Sequence, residues 1–219
     1  MAHCSCLESE SLRELLDLFP PEFLRLTPEE QRVSINLCRL LAEGHPVGVP
    51  HLADQARLDE DSVRRLLQAW PGVYFDDAGR IIGYWGLALP EMDHRFEVNG
   101  RRLFTWCAWD SLFIPAILRT TAAVTSRCPE TGVSIRLNVS PNGLEQIEPA
   151  GTVMSFLRPE VARVRENVML HFCRFVHFFA SSAAGARWVA RTPGTFLLSL
   201  ENAYELGRRK NMAQYPDVL

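Results

Sequence analysis

Residues 73–89 read VYFDDAGRIIGYWGLAL, and the reading of this stretch decides the fold. The apolar and aromatic runs VYF (73–75) and RIIGYWGLAL (80–89) flank the turn sequence Asp77-Ala78-Gly79, which predicts a β-hairpin. Working back from it, Pro71 and Gly72 close a region of helical pattern. Asp59 is placed to cap a helix reaching Trp70, with Val63, Leu66 and Leu67 as its apolar stripe, and Pro50–Ala56 predicts a shorter helix before it. Earlier still, Thr27 is a good N-cap, Pro28 suits the first helical position and Glu30 completes a capping box. Val33, Leu37, Leu40 and Leu41 then share one face, and Gly44 supplies the stop. Three helices followed by a hairpin is the order of a winged helix. Ser11–Phe19 predicts a further short amphipathic helix ended by Pro20 and Pro21, after a loose tail over residues 1–10.

Forward of the hairpin the pattern becomes mixed α and β. HRFEVNGRRLFTW predicts two strands about the turn Asn99-Gly100. CAWDSLFIPAIL predicts a helix up to Pro115, AAVTSRC and VSIRLNVS two strands, and Pro159–Val168 a helix. MLHFCRFVHFFAS has strand composition, and Gly194–Leu206 predicts a strand and then a helix. The fold class expected is α+β: a winged-helix-like three-helix domain with a hairpin wing, then a mixed α/β domain with a mainly antiparallel sheet. The divisions expected are 1–20 for the tail and short helix, 21–90 for the winged-helix-like domain and 91–219 for the second domain.

Composition narrows the function. With 47% apolar residues in 219, the chain can bury a sizeable core, and a net charge of -3 gives no reason to expect nucleic acid or an anionic membrane as partner. A winged helix invites a DNA-binding reading, with Arg64 and Arg65 on the would-be recognition helix. Yet residues 1–80 hold 8 arginines and no lysine against 14 carboxylates, the wrong sign for neutralising phosphates. The first ten residues lack the basic start and apolar run of a signal peptide, and no stretch is long and apolar enough to span a bilayer, so the expected location is the cytoplasm.

There are six cysteines, at 4, 6, 38, 107, 128 and 173. With no C-x2-C pair and no export signal, reduced thiols are a better reading than disulfides or a zinc knuckle. Cys107 and Asp110 are three apart in a segment of helical pattern, which on a helix places them on one face, where a carboxylate can exchange a proton with a thiol. Cys173 lies among Phe172, Phe175, Phe178 and Phe179, and strand alternation would put it on one face with Phe175 and His177. On residue chemistry alone, burial in the core is the commoner fate of such cysteines. Cys38 and Cys128 are expected to be structural. So are His171 and His177, which form no H-x-H or H-x3-H pair, and Arg208-Arg209-Lys210 reads as solvated surface. Cys4 and Cys6 read as incidental thiols of a loose tail, with a thiol relay as the alternative.

The stretch RRLFTWCAWDSLFIPAILRTTAAVTSRCPETGVSIRLNVSP (101–141), with EPAG at 148–151 and HFCRFVHFFAS at 171–181, closely resembles the organomercurial (alkylmercury) lyase family. The likeness is strong over residues 80–181 and weaker toward both ends. It implies a catalytic domain over residues 91–219. It also implies that the W-C-A-x-D motif at Trp106–Asp110 carries the first catalytic cysteine, Cys107, and the catalytic aspartate, Asp110. The F-C-x-x-V-H-F-F motif would carry the second cysteine, Cys173. Arg174 stands where some members have another cysteine.

The residue types suit that chemistry. Mercury is a soft ion matched by thiolate sulfur, and two thiolates push electron density toward the mercury-bound carbon. Asp110 would collect a thiol proton and deliver it to that carbon, and its apolar neighbours Trp106, Trp109 and Phe113 would raise its pKa to suit. The resemblance implies no cofactor. Mercury(II) is then a substrate-derived product held by Cys107, Cys173 and Asp110, with external thiols needed for turnover and a mercuric reductase as onward acceptor. Two other readings are a thiol protein that sequesters a soft metal without cleaving carbon, and a winged-helix metal sensor.

Overall fold

A computed structural model describes residues 9–19 and 21–218. Cys4 and Cys6 lie outside the described residues. In chain order the elements are helices α1 (Ser9–Asp17), α2 (Pro21–Leu24), α3 (Pro28–Leu41), α4 (Val49–Ala56) and α5 (Glu60–Ala69), and strands β1 (Val73–Phe75), β2 (Ile81–Tyr84), β3 (Leu87–Ala88), β4 (His94–Val98) and β5 (Arg101–Thr105). There follow α6 (Asp110–Leu118), β6 (Ala122–Arg127), β7 (Ser134–Ser140), β8 (Gly143–Glu148), β9 (Val153–Leu157), α7 (Val161–Glu166) and α8 (Val168–His171). After a 3-10 turn at Cys173–Phe175 come β10 (Phe178–Phe179), α9 (Ser182–Arg191), β11 (Thr195–Ser199) and α10 (Leu200–Gln214).

Local chemistry explains the helical half. Thr27 Oγ1 accepts from the Glu30 N–H while the Glu30 carboxylate accepts from the Thr27 N–H, so α3 starts with both halves of a capping box satisfied. Its buried face holds Val33, Leu37, Leu40 and Leu41, as the periodicity predicts. Asp59 accepts from the Ser62 N–H and starts α5. The hairpin follows, and Asn99-Gly100 turns β4 into β5 with both residues at positive φ, the geometry that a two-residue turn demands.

The wing does not stand apart. β1, β2 and β3 continue into an eight-stranded antiparallel sheet of order β1-β2-β3-β5-β4-β6-β7-β8, in which β3 pairs β5 through Leu87–Thr105 and Ala88–Phe104. A second antiparallel sheet, β10-β9-β11, carries the C-terminal strands. One hydrophobic core runs through α1, α3, both sheets, α6 and α10. Among the described residues no helix is long and apolar enough to cross a membrane.

Three local expectations are corrected. Cys107 is not helical: α6 begins at Asp110, after a turn. Pro115 does not end α6, which continues to Leu118; a buried helix of nine residues tolerates the lost hydrogen bond because packing against α10 holds it, with Asn211 Nδ2 donating to the Phe113 carbonyl. The segment around Cys173 is not a strand. The Asn167 side chain accepts from the Leu170 N–H and starts α8, and the 3-10 turn follows, leaving only Phe178–Phe179 extended. A strand would send Phe172 and Cys173 to opposite faces, whereas the turn lets both line one cavity.

Candidate active site

The three groups singled out from the sequence meet in the core. The two thiols of Cys107 and Cys173 and a carboxylate oxygen of Asp110 all lie within 4.8 Å of one another, and all three residues are buried. Each is held by backbone. The Cys107 N–H donates to Asp110 Oδ2 at 2.9 Å, so the aspartate that opens α6 reaches back over the turn preceding it. Thr105 Oγ1 donates to the Cys107 carbonyl at 3.0 Å, and Ser111 Oγ to the Ala108 carbonyl at 2.7 Å. The Ala108 N–H donates to the Val176 carbonyl at 3.1 Å, which ties the Cys107 turn directly to the Cys173 turn. From the other side, Ser155 Oγ donates to the Phe175 carbonyl and accepts from the His177 N–H, which fixes the exit from the 3-10 turn.

The wing supplies a further wall. Between β2 and β3 the chain turns through Trp85 and Gly86, both at positive φ, and the Gly86 carbonyl accepts from the Trp106 N–H at 2.9 Å. Trp85 faces the same cavity as Asp110 and Cys173. Above them sit Phe19, just past the end of α1, and Phe23 from α2; Phe23 meets Trp85 edge-on at 4.9 Å between ring centres, and Phe19 meets Phe172 at 5.4 Å. The space left is about 30 Å³.

This apolar enclosure sets the electrostatics. Burial raises the Asp110 carboxyl from an ordinary 3.8 to about 7, against hydrogen bonds from Cys107 and the charge of Lys210, which pull it down. Burial likewise pushes the Cys107 thiol well above its ordinary value, helped by its hydrogen bond to Cys173 and the nearby carboxylate. That same bond favours the ionised form of Cys173, but burial and Asp110 outweigh it and Cys173 also stays raised. The resting site is therefore a pair of thiols beside a carboxyl group that changes protonation near neutral pH. Such a group can take a proton from one partner and give it to another.

One residue of the site was missed. Lys210 is 4% exposed and lines the cavity with Asp110, its Nζ 4.0 Å from the centre of the Phe113 ring. Burial lowers it to about 7. The expectation of a solvated basic run fails at Lys210: Arg208 is largely exposed and Arg209 about a quarter exposed, but Lys210 is turned inward. The signal was available in the helical spacing of Leu206, Lys210 and Gln214, all buried on α10.

The residues expected to be structural sit elsewhere. Cys38 is in the core, and burial raises its thiol to about 12. Burial pushes the Cys128 thiol up, but hydrogen bonds from Thr131 and from the backbone of Ala180 and Glu130 together leave it below its ordinary value. His177 bonds the Arg174 carbonyl through Nε2, and His171 lies 3.8 Å from Glu166. Among the described residues, Cys107, Asp110 and Cys173 form the one cluster of three or more metal-binding side chains.

Comparison with known proteins gives two adjoining matches. Residues 26–85 match the helix-turn-helix domain of alkylmercury lyase, and residues 87–211 match the alkylmercury lyase domain itself. The chain is 42% identical over 173 residues to an alkylmercury lyase of Staphylococcus epidermidis (strain ATCC 12228 / FDA PCI 1200), covering 78% of each chain. It is 42% identical over 181 residues to one of Pseudomonas putida, covering 82% of this chain and 84% of the relative. A crystal structure of the mercury-bound form of MerB2 superposes with a TM-score of 0.74 at 21% identity, covering 94% of this chain and all of the other, which shows a shared fold. By sequence over most of its length, the chain belongs to the alkylmercury lyase family.

Proposed function

We propose that the protein cleaves the carbon–mercury bond of alkyl- and arylmercury compounds by protonolysis, with Cys107 and Cys173 as mercury ligands and Asp110 as proton carrier. The observation that supports this most is the enclosure of two thiols and one carboxyl group within 4.8 Å of one another, behind aromatic walls.

The cycle starts when one cysteine exchanges for the thiolate that brings R–Hg into the cell, releasing that thiol. The second cysteine passes its proton to the Asp110 carboxylate and adds to mercury as a thiolate. Two sulfur donors raise the electron density on the Hg–C carbon. Asp110 then protonates it, the bonding pair leaves with the carbon as R–H, and Hg(II) remains on the two sulfurs. In an apolar cavity the carboxylate can take up the thiol's proton near neutral pH and hold it for the carbon, as an ordinary aspartate does not. No cofactor enters this scheme. Cytosolic thiols strip the product, and a mercuric reductase is the class of enzyme that would consume it.

Pure sequestration by thiols would need no proton carrier, and Asp110 argues against it. A sensor reading meets the acidic charge of the winged-helix-like half and the pairing of Arg64 with Glu60 on its own helix.

The test is methane release from methylmercury under excess small thiol, read by gas chromatography. Wild type should release methane, and Cys107→Ser, Cys173→Ser and Asp110→Ala should not. Turnover at the wild-type rate from either serine variant sinks the scheme. Mercury held by two thiols with no methane from wild type means sequestration.

A further inference from the structure

We propose that Lys210 is the counter-ion of the site, its ammonium balancing one negative charge that stays in the cavity throughout the cycle and moves between Asp110 and the mercury-bound thiolates. This rests on the lyase reading above.

Lys210 has no carboxylate within ion-pair distance among the described residues. Among the described residues the one hydrogen bond of its side chain is a long contact of 3.5 Å to Asn211 Oδ1. Its other neighbours are ring faces: Phe113 at 4.0 Å, with Trp85 at 5.8 Å and Tyr215 at 5.7 Å. Rings attract a cation but do not neutralise it, and a buried ammonium without an anion is costly. The arginines before it contrast with this, since Arg208 and Arg209 both pair with Glu205 at the surface. The anionic groups that share the cavity with Lys210 are those of the reaction: Asp110 carries the carboxyl and Cys173 one of the thiols. Cys38, which also faces Lys210 electrostatically, is held as a neutral thiol by burial.

The charge can be followed step by step. With Asp110 ionised and both cysteines protonated, the site carries one negative charge. Exchange of R–Hg–SR′ with the first thiol releases R′SH and leaves that charge on Asp110. The second thiol gives its proton to Asp110 and its thiolate to mercury, so the charge moves to R–Hg bound by two sulfurs. Asp110 protonates the carbon, the Hg–C pair becomes the C–H bond, and the charge returns to the carboxylate beside neutral Hg(II) dithiolate. One cation is therefore needed at every stage, within reach of both positions. Without it, the charge would sit in an apolar enclosure with no opposite charge lining the same cavity, at each stage a costly arrangement that slows turnover.

Lys210 is thus a positioning residue for charge, and the test must separate charge from packing. Methylmercury, supplied as its adduct with a small thiol, is turned over by wild type, Lys210→Met and Lys210→Arg. Hg(II) uptake at the two thiols and thermal unfolding are measured on each. Lys210→Met should lose about tenfold or more in kcat with KM little changed, and still bind one Hg(II) with wild-type unfolding. Lys210→Arg should recover part of the loss. If Lys210→Met keeps kcat within about threefold of wild type, if it loses Hg(II) uptake or cooperative unfolding, or if arginine does no better than methionine, the counter-ion role is overturned. No methane from wild type would instead overturn the lyase reading beneath it.

Discussion

A β-carbon placed on Gly86 would lie 2.4 Å from the carboxyl carbon of Asp110. The turn of the wing is thus pressed against Asp110, the proposed proton carrier, and only a residue without a side chain fits between them. Gly86 also has a φ of +95°, where an alanine is strained whatever the space around it. Gly86→Ala should push the carboxyl group away from the two thiols and lower kcat by about a hundredfold, the usual cost of displacing a catalytic group by an ångström. It should also lose roughly 1 kcal/mol or more of stability. Methane release and urea unfolding, measured on the same preparation, check both parts.

The raised carboxyl of Asp110 makes stability depend on pH in a defined direction. The fold favours the protonated form, so the contribution of this residue is fully present below its ordinary value of 3.8 and is lost as the pH rises through about 7. Asp110→Asn keeps an acceptor for the Cys107 N–H but cannot ionise. The variant should therefore gain on wild type between pH 4 and pH 8 by on the order of a few kcal/mol. Urea unfolding of the two proteins at both ends of that range measures the gain, and parallel pH profiles would refute it.

Phe23 should govern the size of the organic group. The cavity of about 30 Å³ holds little more than a methyl-sized group while Phe23 packs on Trp85. Phe23→Ala is expected to lower KM for phenylmercury while leaving methylmercury little affected, at a stability cost of roughly 3 kcal/mol. Equal effects on both substrates would mean that the ring does not set the room available.

Cys38 should be dispensable. Its thiol is buried in the core and raised to about 12, so it is neither ionised nor part of the cluster of Cys107, Asp110 and Cys173. Cys38→Val replaces one small apolar side chain by another and should leave kcat unchanged, with stability altered by less than about 1.5 kcal/mol. Steady-state kinetics and a thermal melt decide this.

How much of this was legible in the sequence depended on how local each signal was. The capping box at Thr27 and Glu30, the cap at Asp59 and the turn at Asn99-Gly100 are satisfied within a few residues, and each element stands where its pattern placed it. Cys107 and Asp110 were paired correctly for a different reason from the one their spacing suggested: a turn and one backbone hydrogen bond join them, not a helix face. The aromatic run around Cys173 has the composition of a strand but bends, because its partners are distant residues. Ser155 and Ala108 claim its backbone, and a pattern of side chains carries no record of them. Lys210 was hidden by its neighbours, since two surface arginines disguise a lysine that points the other way.

The continuity of the large sheet bears on where the protein can be divided. Sequence comparison places one domain up to residue 85 and the next from residue 87, and the residue between them is Gly86. That seam is stitched by the pairing of β2 with β3 and of β3 with β5, and it forms the floor beneath Asp110. Two modules that look separable in sequence therefore share one continuous sheet. A second half transplanted without the first would carry Cys107, Asp110 and Cys173 over an open floor, with water admitted to a cavity that the whole chain keeps apolar.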